Sequence, residues 1–317
     1  MHFAALAPFR SALFSRISRY KKKTSLTQVT RFGRSALPQL KTEGLIKAGV
    51  LSRMTSATSD SSLPSCSTGD GAARVKRVSI EGNIAVGKST FARLLQAACP
   101  DWEVVAEPVN KWQNVETGSS ERMNSSPGET VSNLLQMMYR DPRRWSYTFQ
   151  TYSCMSRLRT QLQPPPAHLL RSEGTPVQVY ERSIYSDRYI FALTMFELGC
   201  INSTEWAVYQ DWHSLLVQQF GHKVALEGII YLRAPPGECM ERLEHRGRAE
   251  EAGVQLDYLD KLDAQHQRWL VEKSTEIHFE TLKHVPVLQL DASAEFHNDP
   301  EVQEQFITKV KNFFNSL

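Results

Sequence analysis

The sequence predicts an α/β fold, a parallel five-stranded sheet with helices on both faces. Two observations carry this expectation. From Val75 onward, short β-branched runs alternate with longer amphipathic stretches, the pattern of strands joined by covering helices. A glycine-rich segment, residues 82–89, sits where the first strand-like run gives way to the first helix-like stretch. The five expected strands are residues 75–81, 103–106, 177–181, 228–232 and 285–290. Residues 116–130, with Gly, Ser and Pro, and residues 164–176, opened by three prolines, read as surface loops. No internal repeat at solenoid periods interrupts this order.

With 317 residues and 41% hydrophobic composition the chain can bury a sizeable core. No stretch approaches the roughly 18 consecutive apolar residues of a membrane-spanning helix, so no membrane insertion is expected. The five cysteines, Cys66, Cys99, Cys154, Cys200 and Cys239, are odd in number and lack zinc-ligand spacing. They read as free thiols of a reducing compartment. The net charge of +3 hides an asymmetry: residues 1–58 hold eleven Lys/Arg and one acid, Glu43, leaving 26 bases against 33 acids elsewhere. So acidic a body has no electrostatic footprint for nucleic acid. The basic segment carries Leu6, Phe9, Leu13, Ile17 and Tyr20 at helical spacing, which suits a mitochondrial transit segment over residues 1–53; a disordered basic tail is the plainer alternative. Residues 54–73 read as a Ser-rich linker, and Met54 offers the start of a shorter product left in the cytosol or nucleus. The folded domain is expected over 74–317.

Gly82-Asn83-Ile84-Ala85-Val86-Gly87-Lys88-Ser89 fits G-x-x-x-x-G-K-[ST], and Thr90 follows it into the first helix. Glycines let successive N–H groups curl around phosphate oxygens, the helix N-terminus adds positive potential, Lys88 reaches the β and γ oxygens, and Ser89 ligates Mg²⁺. The fold expectation thereby narrows to a P-loop NTPase. No N-K-x-D guanine-reading sequence is present and the chain is short for a motor ATPase, which leaves a small-substrate kinase. Such enzymes need a mobile cationic lid over the transferred phosphoryl. Arg242, Arg246 and Arg248, in ERLEHRGRAEE after the fourth strand, supply an Arg-rich lid, Arg242 and Arg246 sharing one helix face; the bland reading is a solvated charged helix.

On the acceptor side, Glu107 stands at the carboxyl end of the second strand, where ligands bind in open α/β sheets. It can accept a proton from an attacking hydroxyl. The third strand ends in YERSIYSDRY, so Glu181 can hold Mg²⁺ through water and Arg182 can contact the reacting oxygens.

The motifs SIEGNIAVGKST, AEPVNKW, LLQMMYRDPRRWSYTFQTY, YERSIYSDRYIF, EWAVYQDWH and RGRAEE together resemble the deoxyribonucleoside kinases, in the deoxycytidine kinase and deoxyguanosine kinase branch, over residues 75–317. The resemblance implies phosphorylation of a deoxyribonucleoside 5′-hydroxyl in nucleotide salvage, with ATP or UTP as donor and Mg²⁺ as cofactor. It implies Glu107 as general base, Arg182 as its partner, Ser89 and Glu181 at the magnesium, and Tyr139 and Glu251 at the 3′-hydroxyl. It further implies Val109 and Tyr258 at the substrate, Glu295 and Phe296 at the donor, and a homodimer through a helical interface.

Gln150, Ser153 and Arg157 fall at i, i+3 and i+7, so one helix face can present all three to a base. Gln150 has an amide donor and acceptor that suit cytosine or guanine. Arg157 and Asp187 can pair while Asp187 accepts from an exocyclic amino group, which thymine lacks; an ion pair remote from ligand is the bland reading. Phe149 and Phe191 can sandwich the base and Trp112 can wall the pocket. Leu135, Met138 and Tyr139 at i, i+3 and i+4 can line it, although that spacing alone favours plain core packing. Ser153 resembles the deoxyguanosine kinases, whereas DWEVV and FGHKVALEGIIYL lean toward deoxycytidine kinase. Alternatives are a nucleoside monophosphate kinase, which would share loop and lid, a non-catalytic mitochondrial subunit of the same fold, and a nucleic-acid-binding role resting only on residues 1–58.

Overall fold

In KRVSIE, Val78 and Ile80 alternate with Ser79 and Glu81, and all four are buried. A strand buried on both faces belongs at the centre of a parallel sheet. The computed structural model describes residues 75–116, 130–171, 174–294 and 296–317. The expected transit segment and Ser-rich linker, together with Glu295, lie outside the described residues.

The first strand, β1 (Lys76–Glu81), leads through the glycine-rich loop into α1 (Lys88–Ala98), then β2 (Glu103–Val105) and α2 (Val109–Gln113). Two short strands, β3 (Val115–Glu116) and β4 (Thr130–Ser132), pair antiparallel, so the ends of the stretch expected to be a loop form a ribbon. Next come α3 (Leu134–Arg140), capped by the Asn133 side chain, and α4 (Pro142–Gln161), capped by Asp141 with a proline in its first turn. The Pro-rich stretch expected to be a loop contains α5 (Ala167–Leu170), whose Leu169 is fully buried and anchors it.

After β5 (Val177–Glu181) the chain enters α6 (Ile184–Ser186), a π-helical turn over Asp187–Ala192, and α7 (Leu193–Glu197). A capping box between Asn202 and Glu205 starts α8 (Ser203–Val224). Then follow β6 (Gly228–Arg233) and α9 (Pro236–Arg246), the latter opened by Pro236 and closed by Gly247 at φ 64°. A 3₁₀ turn over Ala249–Glu251 precedes α10 (Leu256–His266), α11 (Glu280–Lys283), β7 (Val287–Asp291) and α12 (Pro300–Ser316). The last strand begins two residues later than expected, because the Val285 N–H closes the α11 turn on Leu282 and Pro286 has no N–H for the ladder.

The sheet order is β2-β5-β1-β6-β7, every pair parallel, as the alternating pattern predicts. The Phe91 ring of α1 meets Phe306 of α12 at 5.9 Å and Phe296 at 6.3 Å, edge on. Elsewhere in the core Tyr231 of β6 stacks on His266 of α10. Among the described residues no helix is long and apolar enough to cross a membrane.

The consequence for function is that the segments following β1, β2, β5 and β6 all leave the sheet at its carboxyl edge, beside the central strand where the chain switches direction. At that edge Gly82 has φ 145°, and a Cβ there would lie 2.4 Å from the Leu232 carbonyl oxygen. Gly82→Ala should therefore cost about 2 kcal/mol or more of unfolding free energy, read by urea denaturation.

Candidate active site

The glycine-rich loop curls through three left-handed residues, Gly82, Ala85 (φ 59°) and Gly87 (φ 106°). Asn83 pins it: the side-chain amide donates to the Leu259 carbonyl at 3.0 Å, and its oxygen accepts from the Ile84 N–H at 2.9 Å. Lys88 lies across the loop and donates to the Asn83 and Gly82 carbonyls at 2.7 and 3.3 Å. Burial, with the charge of Arg182 adding to it, brings the Lys88 ammonium down to about 7 against the opposing pull of Glu181 and Glu107. The Ser89 hydroxyl donates to the Glu181 carboxylate at 2.8 Å. These two hard oxygen donors suit Mg²⁺, whose remaining ligands would be water and phosphate.

Arg182, next after β5, has φ 66°, a conformation costing a non-glycine residue on the order of 1 kcal/mol or more. Its backbone N–H donates to the Ile80 carbonyl and its Nη1 to the Gly82 carbonyl at 2.9 Å. The same guanidinium lies 3.3 Å from Glu107 through Nε and 4.5 Å from the Phe191 ring centre. Glu107 receives a second arginine: Arg157 Nη2 donates to its Oε1 at 2.8 Å. Burial works to raise the Glu107 pKa, yet Arg157, Arg182 and Lys88 together hold it below the ordinary carboxylate value.

Arg157 is the most heavily committed side chain of the site. Its Nε donates to Asp187 Oδ2 at 2.9 Å and its Nη1 to the Glu181 carbonyl at 3.0 Å, while Ser153 donates to the other Asp187 oxygen at 3.3 Å. The pair expected from the sequence therefore forms, and it forms at the cleft wall. Trp112 lies 5.6 Å below the Arg157 guanidinium, meets Phe149 edge on at 5.5 Å, and donates its indole N–H to Ser156 at 2.8 Å.

Lys88, Ser89, Glu107, Trp112, Phe149, Ser153, Arg157, Glu181, Arg182 and Asp187 line one cleft of about 1240 Å³. Gln150, Phe191, Val109, Leu135, Met138, Tyr139 and Tyr258 also line it. Leu135 and Met138 are both buried in the core, so the core reading and the lining reading hold together. At the glycine-rich loop Ile84, Ala85, Gly87, Lys88, Ser89 and Thr90, with Phe296, line the cleft, while Gly82, Asn83 and Val86 lie in the loop but outside its lining.

Arg242, Arg246 and Arg248 reach the same cleft from two anchors. Arg242 donates to the Ala292 and Ser293 carbonyls at 2.8 Å, and Arg246 and Arg248 lie 2.7 and 3.5 Å from Glu251. Glu251 is buried, and burial together with its charge raises the Tyr139 hydroxyl pKa well above its usual value. Sequence reasoning missed Glu250, which accepts from Gln113 at 3.0 Å and Asn133 at 2.8 Å. Those partners lie 137 and 117 residues away, so no local spacing announces them.

A phosphate loop, a carboxylate held by two arginines and a polar helix face meet here in one cleft, and known proteins share the chain that builds it. The family described as Deoxynucleoside kinase matches residues 78–315. The chain belongs to the deoxynucleoside kinases. This kinase is 52% identical over 244 residues to deoxycytidine kinase 2 of Gallus gallus, covering 77% of this chain and 92% of that protein. Over 244 residues it is 50% identical to the mitochondrial deoxyguanosine kinase of Xenopus laevis, covering 77% and 91%. To deoxycytidine kinase of Homo sapiens it is 47% identical over 260 residues, covering 81% and 97%.

Glu107 generates a pH prediction. A carboxylate depressed by folding contributes stability that is complete above its unfolded pKa and lost as pH falls through the lower folded value. The stability gap between the wild-type kinase and Glu107→Gln should be widest above pH 4.5, the ordinary value for this group, and close as pH falls further. Thermal melts stepped through the acid range would read it, and a pH-independent gap would contradict the assignment.

Proposed function

We propose that this kinase transfers the γ-phosphoryl of ATP or UTP to the 5′-hydroxyl of deoxycytidine or a purine deoxynucleoside, with Glu107 as general base. The observation that carries the reading is the Arg157 guanidinium, which touches Glu107 and Asp187 at once. A ligand read by Asp187 is thereby placed with its sugar toward Glu107. Glu107, ionised under neutral conditions, takes the hydroxyl proton as the 5′-oxygen attacks the γ-phosphorus; the bond to the β-phosphate oxygen breaks and the nucleoside diphosphate leaves. Lys88, Arg182, Arg242, Arg246 and Arg248 neutralise the charge that spreads over the transferred oxygens. Mg²⁺ held at Ser89 and Glu181 would supply further charge neutralisation.

The base-reading assignment follows from satisfiability. Asp187 can accept from the amino group of cytosine, adenine or guanine, and Gln150 can present its amide in either sense. Thymine offers no amino group and would leave buried polar atoms unpaired. Tyr139 and Glu251 take the 3′-hydroxyl. Glu107, already negative, would repel an acceptor carrying phosphate, which disfavours a monophosphate kinase.

Two finer assignments belong to the same reading. Met155 of α4 and Val208 and Leu215 of α8 are exposed apolar side chains on helices that pack together, and a second copy would cover them in a homodimer. The basic N-terminal segment directs the product to mitochondria, where the enzyme serves nucleotide salvage.

The test is a panel of deoxycytidine, deoxyguanosine, deoxyadenosine and thymidine, each with ATP or UTP and Mg²⁺, and with dCMP and dGMP alongside. Turnover confined to monophosphates would overturn the reading. Glu107→Gln should lower kcat by about 100-fold or more while nucleoside binding stays within a few-fold. Replacing Ser153, Arg157 and Asp187 together by Val, Met and Ala should admit thymidine, seen as a rise in its kcat/KM; unchanged rejection would sink the base-reading model.

A further inference from the structure

Glu81 ends β1 and immediately precedes the phosphate loop, and its side chain is fully buried. Burying a carboxyl is costly unless its oxygens are satisfied. One oxygen accepts from the Ser183 hydroxyl at 2.7 Å, and among the described residues no group meets the other in good hydrogen-bond geometry. Burial pushes this carboxyl above the ordinary range, against the Ser183 hydrogen bond and the Arg182 charge. Either protonation state leaves an acceptor lone pair for Ser183.

Ser183 directly follows Arg182, and its hydroxyl also accepts from the Ser186 N–H at 3.2 Å, capping α6. In the opposite direction the Arg182 side chain donates to the Gly82 carbonyl at 2.9 Å. Two consecutive pairs, 81–82 and 182–183, are thus tied twice, each sending one side chain across to the other. The tie spans the point where Arg182 holds φ 66°. A strained non-glycine conformation persists only where its surroundings over-determine it. Leucine would be cheaper to bury at this place, and what it lacks is the acceptor for Ser183.

We propose that Glu81 is a positioning residue that, through Ser183, holds the Arg182 turn in register with the phosphate loop and so keeps the guanidinium between Gly82 and Glu107. The proposal rests on the reading above that Arg182 acts on the reacting oxygens. Phosphate loop and acceptor-side turn then move as one unit, and the rate of transfer depends on a hydrogen bond that touches neither substrate.

The experiment compares Glu81→Leu, Glu81→Gln, Ser183→Ala and the double variant Glu81→Leu/Ser183→Ala in the full chain, with ATP, Mg²⁺ and the best deoxynucleoside of the panel. Glu81→Leu and Ser183→Ala should each lower kcat about tenfold or more with nucleoside Kd within about twofold. The double variant should be no slower than the worse single, because both remove one interaction. Glu81→Gln, which keeps an acceptor, should recover most of the rate. Wild-type kcat in folded Glu81→Leu or Ser183→Ala, even with a lowered Tm, would overturn the proposal, as would losses that multiply in the double variant. If Glu81→Leu fails to fold, Ser183→Ala and Glu81→Gln decide: a full rate in the first, or a Gln variant as slow as it, overturns the proposal. Arg182→Met run alongside separates the two readings. Its wild-type rate would remove the role given to Arg182, whereas a slow Arg182→Met beside a normal Ser183→Ala removes only the positioning role.

Discussion

Arg157, a residue only 3% exposed, contacts two carboxylates and a strand-end carbonyl through its guanidinium, joining helix α4 to the loop after β2, the end of β5 and the π-helical turn after α6. A charge so deeply buried is tolerable only because its donors are nearly all engaged. Around it the site alternates in sign: Arg157, Arg182 and Lys88 are interleaved with Glu107, Asp187 and Glu181. A buried ion-pair network of this kind contributes little net stability over a well-packed apolar core. What it contributes is direction, since each carboxylate has its rotamer set by a partner from a different element.

The geometry explains why the residues of the cleft can come from distant stretches of chain. Four segments leave the carboxyl edge of one sheet, so the parallel register of β1 with β5 and β6 already brings the ends of those strands together. Side chains then tie the segments in pairs: Arg182 to the phosphate loop, Arg157 to Glu107, Arg242 to the segment after β7, and Glu250 to the two walls flanking the β3–β4 ribbon. The arginine-bearing segment after α9 and the walls beside the β3–β4 ribbon are therefore tied together.

Much of this was legible in the sequence, for definite reasons. All five sheet strands were visible because β-branched runs leave a strong local pattern; Lys88 and Ser89 stood out through the glycine-rich spacing, and Glu107 and Arg182 because each closely follows a strand. The Gln150, Ser153 and Arg157 face was visible because helical spacing is a local property. Contacts that close over long separations were not visible. Neither Glu81 with Ser183 nor Glu250 with Gln113 and Asn133 carries any spacing signal, and the anchoring of α5 by Leu169 depends on a core that only the folded chain creates. The two-residue error at β7 has a similar cause: Val285 is as β-branched as Val287, but its N–H is engaged by the α11 turn.

Helix α4 turns Gln150, Ser153 and Arg157 inward and leaves Met155 on the outer surface, beside α8. One helix therefore both lines the cleft, where the proposed reading has it discriminate nucleobases, and forms part of the molecule's apolar exterior. A slight roll of that helix, prompted by whatever packs against its back, would displace three polar groups of the pocket at once. Substrate preference in such an architecture can drift through substitutions that never meet the nucleoside, and a pocket-centred search for specificity determinants would pass them by.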